Sequence, residues 1–199
     1  MSNGNSPLAT AGPCGLMVLA FYLACLWPGA VGMAEHSVFV LLIPLGLAGA
    51  IVQSVAGIVE LSRGNIVGGN INLAFSAFMW YGAGGNLLKF LNIGPANTAA
   101  ADGWVFLVMG LCMLGFTPIF LKINLSMSVF ILATDTFFMG WALSWILGNP
   151  TLFLIGAWAL PVVIVAIIWD VVGTMLNSAF GKEVIKLGPP LAGSVKASN

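Results

Sequence analysis

The chain has 199 residues, of which 60% are hydrophobic and only 6% charged, and six Lys and Arg balance six Asp and Glu. A soluble domain is nearer a quarter charged, so a soluble globule, a disordered chain and a collagen-like chain are excluded. Zero net charge leaves no basic footprint for nucleic acid or for an anionic membrane surface.

Such a composition belongs inside a bilayer, where a spanning helix takes about 20 apolar residues. Six apolar runs of that size follow one another at 14–33, 37–61, 66–90, 103–123, 125–147 and 152–177. Each is too long for a strand, and none alternates as a membrane barrel strand does. The reading is an all-α polytopic membrane protein with six transmembrane helices. A polar N-terminal segment, 1–12, precedes the transmembrane domain, 13–177, and a cytoplasmic tail, 178–199, follows it. The connections are short, so consecutive helices are expected to run antiparallel, with no separate domain and no internal repeat. The N-terminal segment has no Lys or Arg, unlike the charged start of a signal peptide, and is expected to be retained. Cys14, Cys25 and Cys112 lie in apolar runs and are expected to be buried thiols outside any disulfide.

Positive charge sets the orientation. Arg63, Lys122, Lys182, Lys186 and Lys196 fall on the side that holds loop 2–3, loop 4–5 and the tail, and Lys89 alone falls on the other. By the positive-inside rule both termini are expected in the cytoplasm. A cell inner (plasma) membrane is the expected location.

The first candidate functional residues lie on the second span. Gly46, Gly49, Gln53, Gly57 and Glu60 follow one another at spacing 3, 4, 4, 3. A glycine stripe carrying an amide and an acid faces protein or water rather than lipid. It is read either as a close helix contact with Glu60 near the interface beside Arg63, or as part of a transport path. The third span carries Asn70 and Asn72, and Asn72 shares a face with Gly68, Phe75 and Met79. Amides inside a membrane need partners, so these two either bond between helices or line a wet path.

The fifth span carries Asp135 near its middle, and the sixth carries Asp170, read as deep, on a stripe with Gly173, Thr174 and Asn177. No Lys or Arg lies mid-span to pair with either acid. Each is therefore protonated, hydrated, or bonded to amides and hydroxyls, and each is a candidate proton site or a neutral hydrogen-bonding acid between helices. Pro28, Pro44, Pro118 and Pro161 fall inside spans and are expected to kink them or free a carbonyl. Trp104 reads as an interface anchor, whereas Trp141, Trp145 and Trp169 read as too deep for that role.

The chemistry of an enzyme is missing. His36 is the single histidine, in the first loop, and one His with scattered Cys cannot assemble a metal site. The sequence shows no P-loop, GxSxG, HExxH or CxxC pattern and no mid-span lysine for a Schiff base. No cofactor and no metal are expected.

Three blocks carry a family likeness. Ala56-Gly57-Ile58-Val59-Glu60 followed by Arg63-Gly64-Asn65 and Gly68 is one, Gly148-Asn149 is another, and Trp158, Gly173, Leu176-Asn177 and Phe180-Gly181 make the third. In this order and spacing the chain resembles the acetate uptake transporters, also called succinate–acetate permeases, over roughly residues 12–188. The resemblance implies a homohexameric ring of six-helix protomers, each with its own pore. It implies passage of acetate and related short monocarboxylates, with succinate as a further substrate, by a channel-like route or as proton symport. Matching by position implies a narrow point at Leu19, Phe75 and Phe138, apolar and therefore prone to dewetting. Substrate capture is expected near Asn70 and Asn72, with Glu60, Asp135 and Asp170 as the candidates for proton coupling.

The family's N-terminal signature, N-P-x-P-L-G-L, stands here as Thr10-Ala11-Gly12-Pro13-Cys14-Gly15-Leu16, with Pro13, Gly15 and Leu16 matching. Asp135, Asp170 and Asn72 fall where the family usually has apolar residues. The extra amides and acids also suit a passive channel for a small neutral solute such as urea or a short amide.

Overall fold

A computed structural model describes residues 8–95 and 97–193. Among them are six α-helices: α1 (Gly12–Ala30), α2 (Leu42–Ser62), α3 (Ile66–Leu91), α4 (Ala99–Phe120), α5 (Leu125–Leu147) and α6 (Pro150–Phe180), with a 3-10 helix at His36–Leu41. The all-α expectation and the six runs hold, each within a few residues. Five helices are long and apolar enough to cross a membrane. The exception, α3, has 26 residues but carries five glycines, three asparagines and a lysine, which dilute its apolar content. Three of the prolines lie inside helices. The fourth, Pro44, sits in the first turn of α2, where an N–H has no helical partner to lose, so no kink is needed there.

The chain divides into two compact units, 1–96 and 97–199. In the first, α2 lies along α3, and the glycine stripe makes this possible. A Cβ at Gly46 would stand 2.9 Å from Ala83 Cβ, and one at Gly57 would stand 2.9 Å from the Gly69 carbonyl. Ser54 and Ser76 hydroxyls bond at 2.7 Å across the same seam, and Ser76 also donates to the Ala50 carbonyl at 2.8 Å. Between α2 and α3, Gly64 takes φ +81, a conformation that disfavours any side chain.

In the second unit α5 packs on both α4 and α6, and Gly140 meets the Gly156 Cα closely enough to leave no room for a Cβ. Phe106, Phe137, Phe138, Trp141, Trp145 and Phe153 form one aromatic cluster, with Trp141 stacked on Phe153 at 4.5 Å. Trp141 is therefore a packing residue of the unit. Trp104 is exposed on α4, as an interface anchor must be.

Parts of all three resembling blocks fall at helix ends. Gly148 closes α5 in the left-handed conformation, and Asn149 caps α6 by accepting from Thr151 N at 3.0 Å. Gly181 closes α6 in the same way. Beyond it the chain turns back along α6 as a strap. The Asn177 amide accepts from Val184 N and Ile185 N and donates to the Ile185 carbonyl. Trp169 Nε1 donates to the Lys186 carbonyl at 2.9 Å, and Leu187 fills the space left by Gly173. The strap then meets the start of α5: its Leu187 and Gly188 carbonyls accept from Ser126 N and Leu125 N. These amides belong to the first turn of α5, which has no carbonyls of its own to offer them.

The cysteines differ from expectation. All three are free thiols, but Cys14 and Cys112 lie on the chain's surface and Cys25 is only partly covered. They occupy outward faces of apolar helices, which a bilayer rather than the chain would cover. Lys196 and most of segment 1–12 lie outside the described residues.

Candidate functional site

The polar centre of the first unit is built on Glu60. Its side chain is 3% exposed. Oε1 accepts from Thr10 Oγ1 at 2.6 Å, Ala11 N at 2.8 Å and Gly12 N at 3.1 Å, and Oε2 accepts from Asn65 Nδ2 at 2.8 Å. Ala11 and Gly12 are the cap and first residue of α1, so the acid complements the positive end of that helix. Asn65 in turn caps α3, accepting from Gly68 N at 3.0 Å. The motif residues Glu60, Asn65 and Gly68 thus tie the starts of α1 and α3 to the end of α2. Arg63 donates to the Leu8 carbonyl rather than serving Glu60.

One and two turns deeper, Gln53 and Asn72 meet Gly15. Gln53 is 2% exposed, and its Nε2 donates to the Gly15 carbonyl at 2.8 Å. Its Oε1 is buried without a partner among the described residues. Asn72 Nδ2 donates to the Gly68 carbonyl at 2.7 Å, which turns its Oδ1 toward Gly15. A Cβ on Gly15 would stand 2.1 Å from that oxygen and 3.1 Å from Gln53 Oε1. Only glycine fits, and two amide acceptors converge on it. Asn70 does not join them. It lies on the exposed side of α3 and donates to Ile66 O of its own helix.

The acids of the second unit occupy different depths. Asp135 is the eleventh of the 23 residues of α5, near its middle as expected. Its Oδ2 is 2.6 Å from Thr117 Oγ1 on α4, while Oδ1 is buried with no partner among the described residues. Asp170 is not deep. Its Oδ1 accepts from Ser126 Oγ at 2.7 Å and Asn124 Nδ2 at 3.2 Å, residues at the start of α5. This level is the end of the neighbouring span, because α6 has 31 residues and runs on well past it. Asn124 also caps α5, accepting from Met127 N.

The three apolar residues expected at the narrow point are all buried: Leu19 at 5% and Phe75 at 4% in the first unit, Phe138 at 1% in the second. Thr117, Asn124 and Ser126 are polar-site residues that sequence reading did not single out, and Gly15 was read only as a match to the N-terminal signature. Thr117 had a readable signal, since it is a hydroxyl inside an apolar run beside Pro118. Among the described residues no group of three or more His, Cys, Asp or Glu is placed to hold a metal.

No protein-family model matches the chain, and no curated protein matches it. Among solved structures it is similar to the bacterial acetate channel SatP, with a TM-score of 0.82 and 23% identity over 91% of this chain and 99% of that one. At this identity the likeness is one of fold. Together with the apolar helices, it makes the chain a multi-pass membrane protein with the fold of SatP over 91% of its length.

Proposed function

We propose that the protein passes acetate and related short monocarboxylates across a cell membrane, and that it works as a homohexamer with a pore in each protomer and both termini in the cytoplasm. The observation that carries this reading is the likeness of fold to an acetate channel along nearly the whole of both chains. The resemblance of the Glu60–Gly68 block and of the α6 exit supports it from the sequence side.

Leu19 and Phe75 in the first unit and Phe138 in the second are the apolar residues we assign to the path. A solute passing them must shed water, which a small organic acid does more readily than an inorganic ion. The polar step before them is assigned to Asn72 with Gln53, and not to Asn70, whose amide is engaged on the exposed side of α3. Glu60 is better suited to structure than to proton transfer, because four donors already surround it. Proton symport, if the protein couples, falls to the acids of the second unit.

The test is uptake of labelled acetate into proteoliposomes, compared with protein-free vesicles because acetic acid crosses lipid unaided. Uptake above that leak, reduced when Phe75 or Phe138 is replaced by a charged residue in a protein that still folds, supports the reading. Uptake equal to the leak overturns it.

A second reading has one observation in its favour. The convergent Gln53 and Asn72 oxygens are acceptors, which suits a donor-bearing neutral solute such as urea or a short amide. Urea flux measured in the same vesicles, with no acetate flux, decides for it.

A further inference from the structure

Of Glu60, Asp135 and Asp170, Asp135 alone has a buried oxygen with no donor among the described residues. Glu60 collects four donors, and Asp170 collects two on one oxygen. We propose that Asp135 is a proton-binding site, resting as the neutral acid, with Oδ2–H donating to Thr117 Oγ1 and the Thr117 hydroxyl donating to the Met113 carbonyl.

The argument is a count of hydrogens. Thr117 Oγ1 has one proton and two oxygen neighbours, Asp135 Oδ2 at 2.6 Å and Met113 O at 3.1 Å. An ionised Asp135 can only accept. It would take the single Thr117 proton, leave Met113 O without it, and keep a bare anionic Oδ1 in a side chain only 7% exposed. A buried charge left in that state is among the costlier arrangements a fold can hold. One added proton on Oδ2 resolves every contact: Asp135 donates to Thr117, Thr117 donates to Met113, and the atom left over is a neutral carbonyl oxygen.

Other ionisable groups around α5 do not alter the count. On α4 they are Asp102, in the first turn and bonded by Thr98, and the exposed thiol of Cys112, with Lys122 just past its end. On α6 the ionisable group is Asp170, engaged by Asn124 and Ser126. None of these bonds Asp135. Release of the proton needs one local adjustment, a rotation of the Thr117 hydroxyl from Met113 O to Oδ2. The arrangement is therefore a two-state proton holder near the middle of α5. Its use in driving transport rests on the acetate reading, whereas its protonation does not.

Infrared spectroscopy of the full-length protein in lipid near neutral pH tests this without any substrate. The expected spectrum has a protonated-carboxyl C=O band that disappears in Asp135→Asn and persists in Asp170→Asn. Thr117→Val, which keeps the acid but removes its acceptor, shifts the band, and Thr117→Ser leaves it in place. A spectrum without that band, or one unchanged by Asp135→Asn, overturns the proposal. In uptake measurements, the rate of acetate uptake in excess of protein-free vesicles under the same inward proton gradient is expected to fall in Asp135→Asn to the excess rate found without a gradient. A protein that shows the band yet moves no acetate upholds the proton site and refutes the acetate reading alone.

Discussion

Glu60 and Asn65 are joined twice. The Asn65 side chain donates to Glu60 Oε2 at 2.8 Å, and the Asn65 backbone N–H donates to the Glu60 carbonyl at 2.9 Å. With Thr10, Ala11 and Gly12 on the other oxygen, this pair fixes three helix ends at one point. The glutamate that reads in sequence as a coupling candidate is, in the fold, a knot.

Replacing Glu60 by Gln puts an amide group where an oxygen now accepts, so at least one donor is left facing another donor. Hydrogen bonds to a charged group contribute about 1.5–3 kcal/mol each, and partial rearrangement leaves an expected loss of about 2 kcal/mol. Thermal unfolding in detergent should show the lowered midpoint, while acetate uptake per folded protein keeps its response to a proton gradient. Unchanged stability with a lost gradient response would return Glu60 to the role of proton carrier.

Gly15 makes a sharper steric prediction. Gly15→Ala forces Asn72 Oδ1 out of its place, because the new methyl would stand 2.1 Å from it. The variant is expected to lose stability, and removing the obstacle in a Gly15→Ala, Asn72→Ala double variant is expected to recover part of it. A double-mutant cycle in thermal stability reads the coupling directly. Simple additivity of the two losses would mean that the residues do not meet.

One amide holds the start of the strap. Asn177→Ala removes three hydrogen bonds that hold Val184 and Ile185 against α6. Trypsin should then cut at Lys182 and Lys186 faster by about a factor of ten or more, the equivalent of 1.4 kcal/mol of easier local opening. Equal cleavage rates in parent and variant would show that the Trp169 bond to Lys186, the Leu187 packing and the backbone bonds to Leu125 and Ser126 hold the strap without Asn177.

Much of the fold was legible because hydrophobic length in a bilayer is a strong signal. The six runs gave helices with ends displaced by a few residues, and the glycine stripe on α2 gave the α2–α3 seam. Depth was less legible. Asp170 lies about two helical turns inside the end of a long apolar run, yet α6 extends past the start of α5, so the acid sits level with Asn124 and Ser126. Partners were harder still. Thr117 precedes Asp135 by 18 residues and lies on another helix, so no spacing rule within one helix connects them. The buried-thiol expectation failed because apolar surroundings in sequence include the side of a helix that faces lipid.

Asp170→Asn separates the two acids of the second unit. Asparagine keeps an oxygen to accept from Ser126 and Asn124, so the variant is expected to fold and to accumulate acetate under a proton gradient as the parent does. Loss of the gradient response in Asp170→Asn, with Asp135→Asn unaffected, would transfer the coupling role from α5 to α6.

The most direct test of the whole account is labelled-acetate uptake into proteoliposomes with and without an inward proton gradient, set beside protein-free vesicles. The account predicts uptake above the lipid leak, raised by the gradient in the parent protein and not in Asp135→Asn. Uptake no greater than the leak under both conditions would contradict it.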